Sequence, residues 1–490
     1  MSSKKGNRNL PSSYFFARKI CEYVERGRFM AQRIRSMTEG SPTRLLIAFA
    51  LPLMVGNVFQ QLYTVVDTMV VGKALGVGAL AALGAADWLN WMMLGTIQGL
   101  TQGFGILMAQ EFGAGRLERL RKVVGNATVL SALGAVLLLV IGQLIARPVL
   151  VLLQTPEEII GNALLYLRIM FLGIPIVMAY NFLASILRSL GDGKTPLHAM
   201  IVAALTNIVL DLLFVLGFHW GIAGAAVATL IGQMVSILFC FRHIRKIEML
   251  TLQRSDFRME GHLGRRLLFL GSPMALQSVI ISVGGMIVQF VVNGFGVLFI
   301  AGFTATNKLY GVLEVAATSY GYAMITYVGQ NLGAGKIDRI RRGMRAAVGV
   351  AMVTSVAIGA AMILFGKIVL GWFISGTPQE VEQTMQVAYF YLAVMSICLP
   401  ILYLLHVTRS AIQGMGNTVL PMVSGIAEFL MRALTAVLLP LAVGETGIFF
   451  AEVMAWAGAD IILVISYRKT IREVSRFQRK ESAFPDRTGR

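Results

Sequence analysis

Twelve apolar runs, most of about 20 residues or more, divide this chain of 490 residues and leave it few ways to fold. They fall near 46 to 72, 78 to 108, 123 to 146, 159 to 187, 197 to 217 and 222 to 241. Six more follow near 266 to 293, 297 to 327, 343 to 366, 385 to 409, 420 to 442 and 447 to 467. Runs this long with few charges satisfy both side chains and backbone only as helices in lipid. The composition agrees: 56% hydrophobic, 14% charged, mean hydropathy +0.71, values a water-soluble fold of this size would struggle to keep off its surface. The expectation is an all-α integral membrane protein of twelve transmembrane helices. Pro52, Pro175 and Pro400 fall inside runs, where each removes a backbone hydrogen bond and favours a kink.

The formal net charge of +18 fits a nucleic-acid binder only if the basic residues form a face. They sort by membrane side instead. With the N-terminus inside, about 37 of the 43 Lys and Arg lie on the inner side, about 3 outside, and Arg168, Lys308 and Arg432 within spans. Both termini are therefore expected in the cytoplasm of a multi-pass protein of the cell membrane (inner or plasma), with Trp220 and Trp372 as outer-interface anchors. No nucleic-acid partner is implied. The first 45 residues lack a signal peptide, and "YFFARKICEYVERGRFMAQRIRSM" reads either as a basic amphipathic helix on the anionic lipid surface or as a solvated tail. Cys21, Cys240 and Cys398 are too scattered for a disulfide or zinc framework. "GDGKTP" lacks the spacing of a phosphate loop, so neither ATP nor another cofactor is expected.

An internal duplication organises the spans. "QEFGAGRLERLRK" (110 to 122) returns as "QNLGAGKIDRIRR" (330 to 342), and "SILRSLGDGKTP" (185 to 196) returns as "SAIQGMGNTVLP" (410 to 421). Six spans separate the copies, so the halves share one orientation and are expected to form two pseudo-symmetric six-helix bundles about an axis along the membrane normal. The expected organisation is a basic cytoplasmic tail (1–45), an N-lobe of spans 1 to 6 (46–241), a cytoplasmic linker (242–265), a C-lobe of spans 7 to 12 (266–467) and a second basic tail (468–490). Paired bundles of this kind alternate access to a site between them, which points to a transporter.

Two acids then stand out. Asp67 in span 1 and Asp211 in span 5 each lie roughly 8 to 9 Å inside the outer boundary, by a rise of about 1.5 Å per residue. Thr229 of span 6 lies at a similar depth. Gly56, Gln60, Tyr63 and Asp67 step along one face of span 1, and Asn207 and Asp211 are one turn apart on span 5. Either each aspartate finds interfacial water or a backbone group, or the pair titrates jointly and exchanges H⁺ or Na⁺. On the second reading, ion binding changes the bend of span 1 at Pro52 and so reshapes the substrate cavity of the N-lobe.

Around these residues the chain closely resembles the multidrug and toxic compound extrusion (MATE) family. The resemblance covers about residues 38 to 470 and rests on "TEGSPTRLLIAFALPLMVGNVFQQLYTVVDTMVVGKALG", "QNLGAGK", "LRSLGDGKTP" and "GIAGAAVATLIGQ". It implies a two-lobed, twelve-helix antiporter that exports amphipathic, often cationic compounds in exchange for H⁺ or Na⁺. In its archaeal and DinF-like branch it implies a cation site at Asp67, Asn207, Asp211 and Thr229, with Tyr63 nearby; apart from Na⁺ at these four, no metal is implied. The NorM-like branch puts acidic ligands in spans 7 and 10, and "SPMALQSVIISVGGMIVQF" and "YLAVMSICLPILYLLHV" hold no carboxylate.

Other polar groups admit two readings each. In span 2, Trp91, Gln98, Gln102 and Gly105 line a cavity or form an interhelical seam, and Gln60 of span 1 is a further candidate for the substrate cavity. Asp87 and Asn90 lie nearer the outer end of span 2. Glu314 either attracts a cationic substrate or pairs with Lys308, and Glu428 with Arg432, four residues on, reads as a structural ion pair. The expected partners are small amphipathic or cationic solutes and membrane lipids, with the chain working as a monomer. A flippase of a lipid-linked precursor is the nearest alternative. An integral-membrane enzyme is the other, but the helical acids lack a neighbouring histidine, metal motif or nucleophile, and no catalytic residue is assigned.

Overall fold

The computed structural model describes residues 36–374 and 377–483. All but the last two residues of the basic stretch 14–37 lie outside that range. The described chain forms thirteen α-helices: α1 (Pro42–Leu75), α2 (Val77–Gly113), α3 (Leu117–Leu152), α4 (Glu157–Leu172), α5 (Ile174–Ser189), α6 (Lys194–Asp211), α7 (Gly221–Ile244), α8 (Gly261–Val292), α9 (Val297–Gly333), α10 (Ile337–Leu370), α11 (Pro378–Gly414), α12 (Val419–Val443) and α13 (Ala451–Ala483). A π-helical stretch, Leu212–Gly217, extends α6, and a 3₁₀ turn, Glu445–Phe450, leads into α13.

Nine of these, counting the extensions of α6 and α13, are long and apolar enough to cross a membrane, and α4 with α5 makes a tenth span bent by 48°. The remaining two of the twelve are α2 and α9. Each has 37 residues, about 55 Å of helix, but glycine and amides dilute its apolar character. They are central: α2 packs on α8 and α9, and α9 packs on α11, α1 and α2. A helix wrapped by protein needs no lipid-facing surface, which is why hydropathy alone undervalues these two.

The close approach of α2 to α8 has a specific cause. Gly95 lies against Ser278, Gly99 against Met274 and Ala275, Gly103 against Gly271, and Gly285 against Trp88, an antiparallel run of small residues that lets the backbones meet. A Cβ on Gly99 would sit 2.7 Å from the Ala275 amide nitrogen.

The duplicated loops fasten one end of the bundle. Gly115 and Gly335, at the same place in the first repeat, both take positive φ (71° and 69°), which glycine adopts without strain. Beside them, Gln110 Nε2 donates to Gly414 O at 3.2 Å and Gln330 Nε2 donates to Ser189 O at 2.8 Å. Ser189 and Gly414 occupy the same place in the second repeat, so the two bonds are one interaction made twice about the pseudo-symmetry axis. Gln330 Oε1 also accepts from the Met37 amide at 2.7 Å, and Asn331 Nδ2 donates to Met37 O at 3.1 Å.

The symmetry is broken where α4 meets α5. Pro175 and Pro400 stand at equivalent places, yet α11 runs through Pro400 while α4 ends at Leu172, three residues before Pro175. The difference is Gly173, packed so closely under Leu230 that a side chain there would displace it, where the second half has Cys398. Glycine followed by proline is a recognised cause of such kinks.

Candidate functional site

The N-lobe site is assembled by two close helix contacts. Gly56 of α1 is buried against Leu197 and Met200 of α6, where a Cβ would lie 3.2 Å from the Met200 sulfur. Since α1 and α6 run parallel, eleven residues further along each brings Asp67 beside Asp211. Gly232 of α7 fits against Ala203 O and Asn207 Cβ of α6, and one turn earlier Thr229 accepts a hydrogen bond from Asn207 Nδ2 at 3.3 Å.

Asp67, Asn207 and Asp211 are 8%, 3% and 0% exposed, although they come from distant parts of the chain. The two carboxyl groups are within hydrogen-bonding reach of one another. Asp67 Oδ1, Asn207 Oδ1 and both Asp211 oxygens are buried, and among the described residues no donor reaches them. Two carboxyl groups so placed cannot both stay bare and ionised; the pair fits a proton or a small cation held between oxygens. Tyr63 lies within electrostatic reach of both. Asp211 is also the last α-helical residue before the π-helical stretch, whose wider turn leaves backbone groups less regularly paired. Pro52 sits inside an α1 that is continuous from Pro42 to Leu75.

Sequence reasoning missed part of this arrangement. Tyr166 of α4 is buried within reach of Asp67, Asp87 and Asp211, and Asp87 of α2 adds a third acid to their field. Lys308 of α9, across the lobe boundary, lies within electrostatic reach of Asp87. Aromatic burial and a lone acid carry no sequence signal for such a meeting.

Gln98 and Gln102 are half-buried beside the glycine seam, Trp91 is 58% exposed, and Gln60 is half-buried one turn before Thr64, which donates to its carbonyl. Gly105 does not line a cavity: it is buried against Ser185 of α5. Asn57 Nδ2 donates to Ser319 Oγ at 3.3 Å, tying α1 to α9 between the lobes.

In the C-lobe, Glu314 does not pair with Lys308. Six residues along a helix turn a side chain about 240° away, and Glu314 Oε1 instead meets His406 Nε2 of α11 at 3.4 Å. Glu428 and Arg432 are 3.0 Å apart within a larger buried cluster: Arg409 is 2.5 Å from Glu428, and Arg432 is 2.7 Å from Glu452. Asp460 of α13 is buried close by, within the field of Arg409 and Glu428. Arg409 and Asp460 went unnoticed because they sit at the ends of runs or among apolar neighbours.

A family model, MatE, matches residues 52–213 and 273–438, one copy in each half. The probable multidrug resistance protein YpnP of Bacillus subtilis is 31% identical over 360 residues, 72% of this chain and 80% of that protein. DNA damage-inducible protein F of Escherichia coli is 27% identical over 385 residues, 74% of this chain and 78% of that one. Among solved structures, an outward-facing multidrug resistance MATE family transporter superposes with a TM-score of 0.83 at 22% identity, covering 90% of this chain and 98% of that one. Matched in both halves by the family model and along most of its length by these relatives, the chain belongs to the MATE family of multi-pass membrane transporters.

Proposed function

We infer that this protein is a secondary active efflux antiporter that exports amphipathic, often cationic compounds in exchange for H⁺ or Na⁺ bound at Asp67, Asn207, Asp211 and Thr229, with Tyr63 alongside. The observation that carries this reading is the facing of two buried carboxyl groups from α1 and α6 with no fixed cation between them among the described residues. Relatives named as multidrug resistance proteins support the substrate class. The basic end of the bundle faces the cytoplasm, as do both termini, and the chain works as a monomer in the cell membrane without ATP.

The energetics suffice. A one-unit pH gradient is worth about 1.4 kcal/mol and a 100 mV potential about 2.3 kcal/mol per charge, so one inward cation supplies roughly 3.7 kcal/mol. That sustains several-hundred-fold accumulation of an uncharged solute at one-to-one coupling. Ion binding relaxes α1 about Pro52, and the lobes then part at the end held by the duplicated loops.

The decisive experiment is efflux of a fluorescent cationic dye from reconstituted vesicles, with a proton or a sodium gradient imposed separately. Asp67→Asn and Asp211→Asn should each abolish gradient-driven efflux while the protein still inserts and folds. Undiminished efflux in either variant would remove the site from the mechanism, and a response to one gradient alone would identify the ion.

A further inference from the structure

The internal duplication allows the N-lobe site to be mapped onto the C-lobe residue by residue, and contacts fix the register. Gly224 packs on Phe214 in the first half as Gly447 packs on Leu439 in the second. Gly56 receives Met200 in the first half; at the equivalent places Gln277 fills the space over Gly425 and donates to Pro421 O at 2.9 Å, the large and small residues having changed sides. In this register Asp67 corresponds to Val288 and Asp211 to Ala436, so both N-lobe acids have apolar counterparts. Asn207 corresponds to Arg432, Thr229 to Glu452, Ala203 to Glu428 and Tyr63 to Gly284.

The correspondence holds in three dimensions. The Asn207–Thr229 hydrogen bond is replaced by the Arg432–Glu452 ion pair at 2.7 Å. A Cβ on Gly284 would lie 3.1 Å from Arg432 Nη1, so the space Tyr63 takes in one lobe is taken by guanidinium in the other. Arg432 lies between two carboxylates, Glu428 and Glu452, and donates to Ile281 O at 3.3 Å. Arg409 pairs with the far side of Glu428, Asp460 stands beyond it, and the Glu314–His406 pair flanks the cluster. Each lobe therefore holds a pair of buried acids here, joined by Asp87 in the N-lobe and Asp460 in the C-lobe, but only the C-lobe pair is met by cations of its own lobe, Arg432 between the two glutamates and Arg409 on the far side of Glu428.

We propose that the C-lobe contains a second, homologous monovalent-cation pocket whose ion is permanently replaced by the guanidinium of Arg432, leaving one exchangeable ion site per molecule. This rests on the N-lobe reading above for its meaning as a copy. Removing the guanidinium leaves Glu428 and Glu452 facing a buried gap of its size, which a free cation should enter.

The test is the thermal midpoint of the full-length protein in detergent, with low millimolar guanidinium chloride, sodium chloride, or choline chloride at matched ionic strength. Arg432→Ala should lower the midpoint, and guanidinium or sodium should restore at least half of the loss while choline does not. The wild type should gain nothing from guanidinium. Recovery should persist when Asp67→Asn and Asp211→Asn are added, so failure of the N-lobe reading and failure of this pocket are separable. No recovery with either cation, or equal recovery with choline, overturns the proposal. Should Arg432→Ala not accumulate, Arg432→Lys and Arg432→Met decide. A tethered charge predicts that Lys keeps the higher midpoint, whereas a midpoint for Met at or above that for Lys refutes it.

Discussion

The reciprocal glutamines at the basic end make a measurable prediction. Gln330 is fully buried and contributes two hydrogen bonds that join separate segments, to Ser189 O and from the Met37 amide. Gln110 contributes two more, to Gly414 O and from Arg266 Nη2 at 3.3 Å. At about 0.5 to 1.5 kcal/mol net for each, Gln330→Ala should weaken closure by about 2 kcal/mol and the double variant by about 4. A shift of about 2 kcal/mol is roughly thirtyfold, enough to raise an open form from about one in a hundred to about one in four. Nitroxides on Glu118→Cys and Asp338→Cys, exposed and equivalent positions in the first repeat, report the separation by pulsed electron spin resonance once the native cysteines are replaced. Each glutamine variant should add a longer-distance population, and the double variant more. Gln413→Ala is the control, because its bond to Gln277 stays within the C-lobe. Unchanged distances in both glutamine variants, or the same change in the control, would refute the assignment of these bonds to closure.

Three further outcomes follow from single residues. Gly99→Ala should cost about 1 to 3 kcal/mol, because its Cβ would meet the backbone of α8 rather than a movable side chain; an unaltered unfolding midpoint would contradict the seam. Gly232→Ala, pressed 3.1 Å from Ala203 O and 3.3 Å from Asn207 Cβ, should pull Asn207 away from Thr229 and weaken the coupling ion while sparing dye affinity, read as a higher half-saturating ion concentration for efflux. In the loop before α6, burial pushes the Asp192 carboxyl up, but contacts from His243 and Thr195 outweigh it and hold the group below its ordinary value. A depressed carboxyl stabilises the fold above its unfolded pKa and stops doing so as pH falls through the folded value. Asp192→Asn should therefore cost about 1 kcal/mol at neutral pH, and the difference should fade below about pH 4; a gap that widens in acid would reverse the sign.

How much of this was legible follows from which forces act locally. Helices forced by lipid, the loop repeats and the stepping of Gly56, Gln60, Tyr63 and Asp67 are properties of short segments, and sequence displays them directly. The partner of Glu314 is a tertiary fact: Lys308 is nearer in sequence, but six residues of helix turn it to another face, and His406 arrives from α11. The glycine run at positions 95, 99 and 103 was visible as letters, but its meaning depended on Gly271 and Ala275 lying opposite. The π-helical stretch after Asp211 and the bend at Gly173 are decided by packing against α7, which no run of apolar residues encodes.

The two lobes share one fold and differ in where they keep positive charge, and that difference bears on how the transport cycle can turn. Closure held by four glutamine bonds is worth a few kcal/mol, the same order as the roughly 3.7 kcal/mol that one inward cation supplies. A much stronger latch would stall the cycle in the closed form, and a much weaker one would let the lobes part without an ion. If both lobes bound an exchangeable ion, the driving energy would double while the latch stayed the same, and ions would leak through unloaded cycles. On the proposed reading, a guanidinium fixed between Glu428 and Glu452 keeps the C-lobe charge-paired throughout, and ion occupancy at Asp67 and Asp211 would be the variable against which the closure is balanced.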